Sequence, residues 1–111
     1  IPTTLPDDGN YLWFEVRGDS MSYDGKNSIE QGDFILAREL QRVHWNQLYL
    51  SKVWAWVLNH KEQGVMVKQI TWQDKNVITC HSLNKEEADF DVDLNDISQL
   101  FYMKELRKVN F

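Results

Sequence analysis

The sequence predicts a mainly β domain, and three observations carry that prediction. Apolar and polar residues alternate over residues 11–17, with Leu12, Phe14 and Val16 on one face and Glu15 and Arg17 on the other. That is the period of a strand with one buried face. Strand-sized apolar runs then recur at 53–59, 65–72 and 77–81, and turn formers such as Asp24-Gly25 and Gly32-Asp33 punctuate the chain.

The elements follow in order. Residues 1–10 hold both prolines and the run Asp7-Asp8-Gly9, so they are expected to form a linker or arm, with the domain proper over 11–111. Gly18-Asp19 breaks the first strand, and residues 34–38 form a short second one. Residues 40–50 fit either a helical turn or a covering loop. Residues 53–59 read as a strand, 60–64 as a hairpin turn, 65–72 as its partner, 73–76 as another turn and 77–81 as a further strand. Residues 82–89 form a loop and 90–94 alternate again. By pattern alone, residues 97–109 are strand or helix. The stretch Ile97 to Arg107, as the last apolar segment, is expected at or near a sheet edge, where pairing with a second copy would give a homodimer.

Composition narrows the function. A chain of 111 residues is about one domain, and its 42% hydrophobic content with five Trp supplies one core. The Trp are expected as core and turn covers. No run approaches the roughly 18 apolar residues of a membrane helix, and no signal peptide or lipidation pattern is present. A chain that opens at Ile1 without an initiator Met is expected to be a fragment of a longer protein. Cys80 is alone, which suits a reducing, cytoplasmic setting. The net charge of −5 argues against a phosphate-binding surface. The three His have no ligand spacing, and Asp89, Asp91 and Asp93 read as the wet face of a strand, so neither a metal nor another cofactor is expected.

Gly18-Asp19-Ser20-Met21 is the segment that carries chemistry. A serine in a tight Gly-containing turn after a strand exposes its hydroxyl beside free backbone N–H groups, which supplies a nucleophile and donors for an oxyanion. Many such serines merely bond their own turn. Position 22 is Ser, so the G-x-S-x-G elbow of an α/β-hydrolase is missing. Gly18-Asp19-Ser20 resembles the start of a GDSL esterase, but no His has an Asp three residues before it. Arg17-Gly18-Asp19 as an adhesion tripeptide is out of place without secretion signals. A serine whose base is a buried lysine is left. Lys68 is the candidate, on a strand where Met66, Ile70 and Trp72 share its face and the opposite face is also largely apolar. The alternative at this level is a long side chain snorkelling from an edge.

The stretch Phe14-Glu-Val-Arg-Gly-Asp-Ser20-Met21, followed by Ile29-Glu-Gln-Gly32-Asp33-Phe-Ile-Leu, resembles the signature of LexA, phage lambda-type repressors and related mutagenesis proteins. Val65-Met-Val-Lys68-Gln-Ile70 is similar to the second motif of that family, where the lysine base sits. Leu83-Asn84 and Asp96-Ile97 also fit, so the resemblance runs from Tyr11 to about Tyr102. Here the link from Ser22 to Ser28 is a few residues longer than usual in the family, and no Ala-Gly precedes Ser20.

The resemblance implies the compact, β-barrel-like LexA/signal-peptidase core. It implies a serine peptidase in which Ser20 attacks, neutral Lys68 takes the proton, and the backbone N–H groups of Asp19 and Ser20 hold the oxyanion. The substrate would be the protein's own linker to an N-terminal DNA-binding domain outside this chain, so any DNA contact would be made there. Autocleavage, prompted in the family by the RecA filament of the SOS response, would inactivate a dimeric cytoplasmic repressor. A catalytically silent dimerisation or effector-binding module of the same fold is the rival. Ser20 and Lys68 are expected to meet within about 4 Å in an active conformation.

Overall fold

The structure, a computed structural model, describes residues 5, 6 and 8–109. Seven antiparallel strands form a single sheet: β1 (Tyr11–Glu15), β2 (Phe34–Glu39), β3 (Trp56–His60), β4 (Gly64–Asp74), β5 (Val77–His81), β6 (Phe90–Asp93) and β7 (Ile97–Arg107). Their spatial order is β1-β2-β7-β3-β4-β5-β6. The predicted β class is therefore the observed one. The ambiguous segment after Leu40 supplies short 3-10 turns at Arg42–His44 and Leu50–Lys52. Among the described residues no helix is long and apolar enough to cross a membrane.

The last strand departs from expectation. β7 lies inside the sheet, hydrogen-bonded to β2 on one side and β3 on the other. Leu100, Phe101 and Tyr102 are consecutive and all buried, which only a strand covered on both faces can achieve. Leu100 and Tyr102 join a core with Trp56, Leu58, Ile70 and Ile78, while Phe101 joins a second with Val57, Val67, Met21 and Ile35. The true edges are β1 and β6. Leu12, expected inward, is half exposed because β1 has a neighbour on one side only.

β4 departs from its predicted alternation at one point. A bulge between Ile70 and Trp72 inserts a residue relative to β5. An inserted residue reverses which face each later side chain takes, so Trp72 is 66% exposed whereas Ile70 is buried. Trp13 and Trp54 are also exposed, which leaves Trp45 and Trp56 as the indoles of the core.

The arm expected over 1–10 falls partly outside the described residues. Its described portion lies along the sheet: Tyr102 donates to the Pro6 carbonyl, Arg38 Nε to Gly9, and the Glu39 N–H to Asn10.

Candidate functional site

Ser20 sits in the turn that leaves β1. Gly18 has φ +78° with open space where a side chain would go, so glycine is needed there for conformation and not for clearance. Met21, next to the serine, is buried and anchors the turn in the core with Ile29 and Ile35. The long link after it is closed at its base, because the Ile29 N–H donates to the Met21 carbonyl at 3.0 Å. Tyr23 N–H donates to Ser28 Oγ within it. The link is thus closed on itself as a loop between Met21 and Ile29. The N–H groups of Asp19 and Ser20 donate to no acceptor among the described residues, and Ser20 itself is half-buried.

The Gly32-Asp33 signal marks a pinned turn. Asp33 is buried and accepts from the N–H groups of Glu30 and Val109 and from Lys108 Nζ. Burial alone would raise its carboxyl pKa, but Lys108 and the two N–H groups outweigh that and hold it below the usual range.

Lys68 is buried at 5% exposure on β4, in register with Trp56 of β3. Its Nζ donates to Ser82 Oγ at 2.9 Å, lies 3.8 Å from a Glu87 oxygen, and stands 5.8 Å from the Phe90 ring. Burial lowers its pKa, while the charge of Glu87 opposes the fall, as Cys80 would only in its thiolate form. The Cys80 thiol is itself pushed up to about 12 by burial, so it carries no charge at neutral pH.

Ser20 and Lys68 are linked indirectly. No hydrogen bond joins them; the 82–89 loop holds both. Ser82 takes the lysine, and two residues on, Asn84 binds the serine turn. Its N–H donates to the Ser20 carbonyl at 2.9 Å and its Nδ2 to the Asp19 carbonyl at 3.2 Å. Ser82 is the partner of Lys68 that sequence reading missed. It is 2% exposed, and a small polar residue ending an apolar strand was its one signal. Asp89, Asp91 and Asp93 find protein partners in His81, Thr79 and the Asn95 N–H.

A cleft of about 290 Å³ lies between the strand entering the serine turn and the strand carrying the lysine, lined by Trp13, Phe14, Glu15, Arg17, Val65, Met66 and Val67. Both walls have free backbone edges. β1 is bonded to β2 alone, and residues 64–68 of β4 are bonded to β3 alone because β5 pairs only from Gln69 onward. Facing open edges can accept an extended peptide through main-chain hydrogen bonds.

A family model described as Peptidase S24-like matches residues 1–100. No curated protein matches the chain.

Proposed function

We propose, from the premise that this chain belongs to the Peptidase S24-like family, that it is a serine–lysine self-cleaving domain of a repressor. The observation that carries this reading is the double hold of one loop on the two motifs, Ser82 on Lys68 and Asn84 on the Ser20 turn. An extended segment of the same polypeptide in the cleft would bring its carbonyl carbon to Ser20 Oγ. Neutral Lys68 takes the hydroxyl proton as the new C–O bond forms, and the N–H groups of Asp19 and Ser20 stabilise the oxyanion. Collapse breaks the peptide C–N bond, and the leaving amine takes the proton from the Lys68 ammonium. Water then attacks the acyl-Ser20 ester, with Lys68 again accepting and returning the proton. The cut would part this domain from a DNA-binding domain and so inactivate the repressor, with a RecA filament as the prompt.

The reading includes a homodimer. With β7 interior, strand pairing between copies would fall on residues 105–107, which pair with β2 alone.

The test is incubation of the full-length protein between pH 7 and 10, with the products mapped by mass spectrometry. Wild type is expected to cut itself at one bond before the domain, and Ser20→Ala to remain intact. Cleavage that persists in Ser20→Ala overturns the reading. One observation favours the silent dimerisation module instead: Lys68 Nζ is committed to Ser82 and not to Ser20. A wild-type protein that sediments as a dimer and stays whole across that pH range would establish the module.

A further inference from the structure

Glu87 has no part in the serine–lysine chemistry, yet its carboxylate reaches into the site. It is the one carboxylate among the described residues that pairs with Lys68, at 3.8 Å. The other groups facing Nζ are uncharged at neutral pH: Cys80 from β5, Ser82 from the loop, and the Phe90 ring from β6. The nearby acid Asp89 is occupied by His81 at 2.7 Å.

The backbone aims Glu87 as well. Asn84 folds the loop into a local turn, its Oδ1 accepting from the Glu86 N–H at 3.0 Å and its carbonyl from the Glu87 N–H at 3.1 Å. The same Asn84 grips Asp19 and Ser20. Asn84 therefore touches both the serine turn and the segment that carries the carboxylate. With its side chain 40% exposed, Glu87 lies at the rim, where it can swing away without unfolding the core.

We propose that Glu87 is an electrostatic latch on Lys68, keeping the proton on Nζ while the cleft is empty and leaving when a peptide strand covers the site. Once the carboxylate has gone, the buried ammonium has no counter-charge and releases its proton to solvent, which makes the amine a base. The latch rests on the serine–lysine reading for its purpose, because only a base has to be neutral. Its electrostatics can be measured without cleavage.

The experiment is an NMR titration of the 111-residue chain carrying carbon-13-labelled lysine, with the Lys68 signal assigned by its loss in Lys68→Met. Glu87→Gln is expected to lower the Lys68 midpoint by about half a pH unit, the size of a partly exposed ion pair. Glu87→Lys is expected to lower it by about one unit. In full-length protein the pH at which self-cleavage is half-maximal should fall in parallel. A Lys68 midpoint unmoved by both substitutions overturns the latch, whether or not the protein cleaves. A midpoint that moves as expected while no variant cleaves at any pH supports the latch and overturns the peptidase reading.

Discussion

Lys68 Nζ donates to Ser82 Oγ at 2.9 Å, with both side chains buried. Among the described residues the Ser82 hydroxyl is the close hydrogen-bond acceptor for this buried amine. Asn84, two residues later in the same loop, holds the Ser20 turn, so one loop contacts both Lys68 and the segment that carries Ser20.

Removal of that hydroxyl should be felt in stability and in rate. Ser82→Ala leaves Lys68 without its hydrogen-bond acceptor in a buried site, which costs about 1–3 kcal/mol. Thermal melts at pH 7 should show the loss, and self-cleavage should slow because the amine is no longer aimed. A Ser82→Ala protein that melts with wild type and cleaves at the wild-type rate would show that the bond positions nothing.

Lys68→Met should abolish cleavage and leave the domain as stable as wild type or more so at pH 7. Folding lowers the lysine pKa, so the folded state disfavours the charged form. The resulting penalty is greatest below the folded pKa and fades as pH rises towards the unfolded value of about 10.4. Any advantage of Lys68→Met in Tm should therefore shrink from pH 7 to pH 10. An advantage that grows over that range contradicts the assignment.

Asp33 supplies the opposite dependence. Its carboxyl is held below the ordinary value, so its contribution is complete above the unfolded pKa of about 3.9 and is lost as pH falls through the folded one. Asp33→Asn should cost about 1–3 kcal/mol at pH 7, since Lys108 loses its carboxylate partner, keeping only the Ser28 carbonyl, and one of the two N–H groups loses its acceptor. In urea melts the gap from wild type should close as the pH is taken below about 4. A gap that is constant down to pH 2 would mean that the buried carboxylate contributes nothing through its charge.

The sequence by itself determined the β class, most strand positions and the two motif residues. Alternation over 11–17 and the apolar runs at 65–72 and 77–81 are local signals, set by whether neighbouring side chains must face water or core. The need for glycine at position 18 is equally local, as is the choice of Lys68 as the candidate partner for Ser20 once no histidine had the right neighbours. Interiority was less accessible. The consecutive apolar residues Leu100, Phe101 and Tyr102 suit a doubly covered strand, yet they suit an interface equally well, because apolar area does not say what covers it.

Only the tertiary structure decided what surrounds Lys68. Ser82, Asn84 and Glu87 are 14 or more positions away from it, in a loop whose composition reads as ordinary polar connection. Their positions come from β5 pairing with β4, which returns the chain beside the lysine, with a bulge at Ile70–Trp72 that no periodicity announces. Strand pairing is a long-range contact, and a single inserted residue reverses every face beyond it. A strand's pattern can thus show that a lysine faces inward, but its hydrogen-bond partner depends on which distant loop the sheet brings over it.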